Sequence, residues 1–207
     1  MNTANMPVIE LNGTPRERGH CYGESAKALI AETIVCWRDN LRNFGLEQQT
    51  THAVDVNAYL QAFLAETNFT SAIERWTPDL LEEIKGIAEG ADQPFNDILG
   101  LQLVDEEWVF GLRHRYKKPT TKCTAFAVPN QLAVNSYAGQ NMDIPSWVEG
   151  HQVLLRVMPT ANSPEALLFS IAGSIGLNGL NASGLGITCN ALTTGIQTVE
   201  ANTAGDG

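Results

Sequence analysis

The chain is short of positive charge. Its 207 residues carry 13 Lys and Arg against 23 Asp and Glu, a formal net charge of −10. Affinity for nucleic acid rests on neutralising phosphates with basic side chains, so nucleic acid is not an expected partner. Long apolar runs are also missing. No stretch approaches the roughly 18 uninterrupted apolar residues of a membrane helix, so no membrane association is expected. The opening MNTANMPVIEL has neither a basic segment nor a long apolar one, which reads as no secretory signal and a cytoplasmic location. Cysteine is scarce: Cys21, Cys36, Cys123 and Cys189 form no CxxC pair. That spacing argues against a disulfide scaffold and a zinc ribbon, and no metal or cofactor is expected. At 43% apolar and 17% charged residues, the composition excludes a largely disordered chain.

What is present is unevenly placed. Residues 1–122 hold 12 of the basic and 18 of the acidic side chains, whereas 123–207 hold Arg156 and five acidic ones. Glycine shifts the other way, from 8 in the first stretch to 10 in the shorter second. The first stretch therefore reads as surface-rich helices and the second as buried strands joined by tight turns, with the junction at Gly111–Lys122. The fold class expected is α+β, with a helical segment 1–122 and a β-rich segment 123–207.

In the helical part, Thr14-Pro15-Arg16-Glu17 has the composition of a capping box with proline at the first helical position. Ala26, Leu29, Ile30, Thr33, Ile34, Trp37 and Leu41 then mark one buried face. Further helices are expected within Val54–Glu66, from Thr77-Pro78 to a stop at Gly90, and from near Pro94 through Val104. In the second part, strands are expected at Thr124–Val128, Leu132–Gly139, Val153–Met158 and Ala166–Ala172. The first two read as a hairpin turning at Asn130-Gln131. In Asn178–Leu192, Gly179, Gly184 and Gly186 allow a tight turn between two short strands.

Three residues stand out for chemistry: Cys123, Asp143 and Asn190. A hairpin brings the start of one strand near the end of its partner, so Cys123 and Asp143 can meet there. Asn190 closes a later strand and offers hydrogen-bond donors. A thiol, a carboxylate and such donors are a minimal set for acyl transfer through a thioester. Each also has an ordinary reading. Cys123 is compatible with an inert core thiol, and Asp143 and Asn190 with turn residues. No histidine is placed to activate Cys123, since His114 falls in the linker and His151 in a loop, so a Cys–His pair is unsupported. Cys21, Cys36 and Cys189 are expected to be core thiols, Cys189 near the site. The cluster Arg113, His114, Arg115, Lys117, Lys118 and Lys122 reads as a solvated linker or as a contact for an anionic substrate.

Several ordered blocks add a resemblance. They are Gly13-Thr14-Pro15-Arg16-Glu17-Arg18-Gly19 with Tyr22-Gly23, Trp76-Thr77-Pro78 with the run from Glu82 to Ala91, and Cys123-Thr124. Gly139-Gln140-Asn141-Met142-Asp143, the run Gly179–Gly184 and Asn190-Ala191-Leu192 complete the set. In this order they resemble acyl-coenzyme A:6-aminopenicillanate acyltransferase precursors, which are N-terminal nucleophile hydrolases. Penicillin V acylases and bile-salt hydrolases are similar more distantly. The resemblance implies an αββα sandwich behind a helical pro-segment, apparently incomplete at its carboxyl end. It also implies self-cleavage between Lys122 and Cys123, with the two cut chains remaining associated. The freed α-amine of Cys123, with a reference pKa of ~7.7–8.0, would act as the base for its own thiol. Asp143 would orient that amine and Asn190 would donate to the oxyanion. The implied substrate is a small-molecule acyl amide or acyl-coenzyme A, with a homo-oligomer left open.

Two departures accompany the resemblance. Lys122 stands where penicillin acyltransferases carry glycine, and glycine reaches strained conformations that lysine reaches at greater cost. Gln140 stands where bile-salt hydrolases carry arginine. The competing expectation is a non-catalytic, unprocessed scaffold that kept the fold.

Overall fold

A computed structural model describes residues 6–46, 55–112, 123–131 and 135–190. The linker positions 113–122, including Lys122 and the basic cluster, lie outside the described residues, as do Val54, residues 132–134 and the chain beyond Asn190.

The chain begins with a strand that local sequence pattern did not announce, β1 (Val8–Leu11). It alternates, with Ile9 and Leu11 buried and Val8 and Glu10 exposed. Helix α1 (Pro15–Ser25) follows behind the expected capping box: Glu17 N–H donates to Thr14 Oγ at 3.4 Å, and Thr14 N–H donates to Glu17 Oε2 at 2.8 Å. A break at Ala26 separates it from α2 (Lys27–Leu46), whose Ile30, Ile34, Trp37 and Leu41 are buried as the spacing predicts.

Helix α3 (Val56–Glu66) starts behind Asp55, whose side chain accepts from Asn57 N–H and Ala58 N–H. A short helix, α4 (Phe69–Trp76), was not expected. Helix α5 (Pro78–Ala91) runs past the expected stop at Gly90, and Asp92 closes it in the left-handed region at φ 56°. The expected fourth helix breaks at Leu103 into α6 (Phe95–Gln102) and α7 (Val104–Leu112).

Gly90 serves packing rather than capping. Helices α1 and α5 lie against each other through two Gly-x-x-x-Gly pairs, Gly19/Gly23 and Gly86/Gly90. A Cβ added at Gly19 would fall 2.0 Å from the Glu83 carbonyl oxygen, and one at Gly90 would fall 2.2 Å from that of His20. Only hydrogen fits between these backbones, the reason small residues recur where helices approach closely. Charges flank the seam: Arg18 reaches the buried Glu83 at 2.6 Å, and Arg16 bridges Glu82 and Glu89.

After the linker come β2 (Thr124–Val128) and β3 (Tyr137–Asn141), an antiparallel pair with Thr124 opposite Asn141 and Val128 opposite Tyr137. The second strand thus lies later than the expected Leu132–Gly139 and takes in Gln140 and Asn141. A 3-10 turn at Ser146–Val148 leads to β4 (Gln152–Val157), β5 (Ala166–Ile171), β6 (Asn178–Asn181) and β7 (Gly186–Ile187). With β1 these form a five-stranded sheet in the order β1-β4-β5-β6-β7, in which β1 runs parallel to β4 and the other pairs are antiparallel. The β6–β7 turn passes Gly184 at φ +84°, which a residue with a Cβ adopts only under strain.

One face of the five-stranded sheet builds the main core. Ile9, Leu11, Val153 and Leu155 pack with Ile30, Ile34, Ile84, Ile87 and Ile98 of the helices. Leu154 and Phe169, paired across β4 and β5, face the other way, toward the β2–β3 hairpin. The described residues therefore stack as helices, five-stranded sheet and two-stranded hairpin, a mixed α+β architecture. Among them, no helix is long and apolar enough to cross a membrane.

Candidate active site

The hairpin sets the geometry. Cys123 immediately precedes β2 and is half-buried, whereas Asp143 lies two residues beyond β3 and is exposed. Because Thr124 pairs with Asn141, both residues sit at the same end of the hairpin. Opposed residues of an antiparallel pair share a face, and side chains alternate along a strand. Ala125 opposes Gln140, so these two share one face, and Cys123 lies just before the ladder. The chain leaves the ladder after Asn141, and strand alternation no longer dictates where Asp143 points.

The residue before Asn190 is tied to the hairpin by a route the sequence did not reveal. The Gln140 side-chain amide donates through Nε2 to the Cys189 carbonyl, and its Oε1 accepts from Cys189 N–H at 3.0 Å. Cys189 N–H also donates to Asn178 Oδ1 at 3.2 Å, and Asn178 Nδ2 reaches the Met142 sulfur at 3.1 Å. The backbone immediately before Asn190 is thereby tied to β3 and to the residue after it. Cys189 and Cys21 are exposed, which corrects their expected status as core thiols, whereas Cys36 is half-buried and packs against the core around Trp37 and Leu41. Cys189 follows the short strand β7, and among the described residues no further strand covers it. Cys21 lies on the solvent side of α1, its sulfur 3.8 Å from the Glu10 carbonyl.

The loop leading into β6 is fixed from the helical layer. Buried Tyr22 donates to the Ile171 carbonyl at 3.2 Å and accepts from Gly173 N–H at 2.8 Å. Burial pushes its phenol well above the ordinary range, so it stays protonated. Gln102 donates to the Gly173 carbonyl at 2.8 Å and accepts from Ile175 N–H at 2.9 Å. Asn178 follows directly on this braced loop.

The charge inventory near the hairpin is sparse. Arg156 is the one basic residue after position 122. It is committed to Glu10 at 2.8 Å and Glu165 at 2.5 Å on the hairpin-facing side of the sheet, and Glu165 foremost raises its pKa. His151 points Nδ1 at the Trp147 carbonyl, 2.7 Å away, inside its own turn. Neither side chain is posted as a base for Cys123. Among the described residues, no group of three or more His, Cys, Asp and Glu could hold a metal ion. Between the hairpin and the five-stranded sheet lies a cleft of about 780 Å³, bordered by Val128, Tyr137, Gln140, Leu154, Phe169 and Leu180.

The fold and the site together describe an α+β protein with an accessible thiol at a hairpin end and an asparagine-bearing segment tied beside it. Against known proteins, the chain is similar to the acyl-coenzyme A:6-aminopenicillanic-acid-acyltransferase 40 kDa form of Emericella nidulans, at 28% identity over 184 residues. The match covers 89% of this chain and 46% of that protein, so the chain spans about half the length of the curated relative it matches. No protein-family model matches the chain.

Proposed function

We propose that the chain carries the nucleophile region of a self-processing cysteine amidohydrolase or acyltransferase of the N-terminal nucleophile type. In processing, the Cys123 thiol attacks the Lys122 carbonyl and displaces the Cys123 nitrogen, leaving a thioester. Water then releases the Lys122 carboxylate and regenerates the thiol beside a free α-amine. That amine is the base which neither His151 nor Arg156 supplies, and its reference pKa of ~7.7–8.0 suits the work.

In turnover the amine takes the thiol proton and the sulfur attacks the acyl carbonyl. The proton returns to the leaving amine or thiol, and the acyl group stays on sulfur. Water or an acceptor amine then takes the acyl group. Asp143 accepts a hydrogen bond from the ammonium, and Asn190 donates to the oxyanion. The substrate class is a small acyl amide or an acyl-coenzyme A thioester, following the name of the Emericella relative.

The observation that supports this reading is the β2–β3 hairpin, which Cys123 precedes and Asp143 follows, with the Cys189 backbone tied to its Gln140. Similarity to an acyltransferase supports it independently. The test is to incubate the purified protein with acyl-coenzyme A thioesters and with small acyl amides, quench in acid, and map the adduct by mass spectrometry. An acyl mass on Cys123 that is absent in Cys123→Ala is expected. Acylation spread over Cys21, Cys36 and Cys189 with none at Cys123 would refute it.

A second reading is favoured by Lys122, which replaces the glycine that eases the N-to-S shift. In that reading the chain is an unprocessed scaffold, and Cys123 remains in peptide linkage and takes no acyl group.

A further inference from the structure

From the double hydrogen bond between the Gln140 side chain and the Cys189 backbone, we infer that Gln140 is a positioning residue that sets Asn190 against the nucleophile hairpin. The inference rests on the proposed function for its catalytic consequence and on geometry for the clamp itself. A strand residue ordinarily offers its N–H and C=O to a neighbouring strand, and here the carboxamide of Gln140 takes the neighbour's place. Its Nε2 satisfies the Cys189 carbonyl and its Oε1 satisfies the Cys189 N–H at 3.0 Å.

This substitution has a structural reason. Among the described residues β2 and β3 form a sheet separate from the five-stranded one, and no backbone ladder joins the hairpin to residues 188–190. Among the described residues the hairpin pairs with no other strand, and a two-stranded hairpin is marginal alone, so such ties help to hold its orientation. Asn178 completes the arrangement, accepting from the same Cys189 N–H at 3.2 Å and reaching Met142 at 3.1 Å. The carbonyl that Gln140 holds belongs to the Cys189–Asn190 peptide group, which is planar, so fixing it fixes the position of the Asn190 Cα. Gln140 opposes Ala125, two residues beyond Cys123. The clamp therefore connects the strand pair that Cys123 precedes to the residue proposed to meet the oxyanion. A carboxamide suits this task as no charged side chain would, because it is one donor and one acceptor at a single reach. A glutamate would keep the acceptor and lose the donor, and a leucine of similar size would lose both.

The experiment compares full-length wild type, Gln140→Leu and Gln140→Glu by three readouts: amide hydrogen exchange of a peptide containing Cys189 and Asn190, alkylation of Cys123, and steady-state turnover of an acyl-coenzyme A thioester. In Gln140→Leu, exchange at Cys189 is expected to rise about tenfold or more for loss of the clamp. The expected kinetic signature is kcat lowered about tenfold, with KM and the Cys123 alkylation rate within about twofold of wild type. Gln140→Glu is expected to fall between the two proteins in exchange. Unchanged exchange at Cys189 in Gln140→Leu overturns the clamp, and changed exchange with unchanged kcat overturns the positioning role. If wild type itself shows no turnover, the proposed function falls, while the exchange result alone still decides whether Gln140 holds the segment.

Discussion

The α1–α5 helix pair and the β2–β3 hairpin are fixed in place by opposite means. Between the helices, four glycines bring backbone onto backbone, with carbonyl oxygens where a side chain would otherwise stand. The hairpin has little packed around it: Phe126 and Tyr137 are 58% and 54% exposed, and side-chain amides rather than a ladder tie it to the sheet segment. A change in the helix pair should therefore be read as lost stability. A change at the hairpin end should be read as altered chemistry on a molecule that still folds.

The sharpest way to break this contrast is to put a Cβ into the seam. Gly19→Ala is expected to cost about 3 kcal/mol or more, since the Glu83 carbonyl at 2.0 Å is backbone and must move. Gly150→Ala is the control, with positive φ but nothing within 4 Å of the added carbon, and should cost only about 1 kcal/mol. Denaturant unfolding of the two proteins measures both, and equal losses would show that α1 and α5 do not meet through their glycines.

Tyr22→Phe probes the bond between helical layer and sheet. It takes the hydroxyl acceptor from the Gly173 N–H, while the Ile171 carbonyl keeps the Ser174 N–H at 2.8 Å, an expected loss of about 1–3 kcal/mol in the same assay.

Acid should act on the helix pair in a graded way. Lys85 foremost holds the Glu82 carboxyl below its ordinary 4.5, and Arg16 foremost does so for Glu89. A lowered folded pKa contributes stability that is present above the unfolded value and lost as pH falls through the folded one. Unfolding free energy should therefore decline as pH falls below the ordinary carboxylate value and on through the lowered ones, and Arg16→Ala should flatten that slope. An unaltered slope would remove Arg16 from the seam's electrostatics. At the hairpin the smallest stability effect is expected: compared as uncut chains, Cys123→Ala, at a half-buried position, should stay within about 0.5 kcal/mol of the unprocessed wild type. A large loss there would mean that the thiol is packing rather than chemistry.

How much of this was legible beforehand follows from range. The capping box at Thr14, the buried stripe of α2 and the turn at Asn130 are local patterns, and the sequence displays them directly. Strand β1 is only four residues long, and its partner β4 lies more than 140 residues away, so nothing near it marks it as a strand. The stop expected at Gly90 failed because glycine there answers to His20 across the helix pair, while Asp92 supplies the left-handed cap. At the site, the hairpin relation of Cys123 to Asp143 could be read from spacing. The tie from Gln140 to Cys189 spans 49 positions and uses a side chain in place of a strand, a contact no periodicity encodes. Gln140 drew notice only as a departure from arginine, which was a signal without a mechanism.

The central claim is that the residue at position 123 becomes an amino terminus. Intact-mass analysis of the freshly purified chain and of the Cys123→Ala variant tests it most directly, joined to amino-terminal sequencing of whatever fragments appear. The account predicts two species from wild type, one beginning at Cys123 and its partner ending at Lys122, and a single uncut chain from Cys123→Ala. A wild-type chain that stays whole after days in neutral buffer would contradict it, as would cleavage of Cys123→Ala at the same bond.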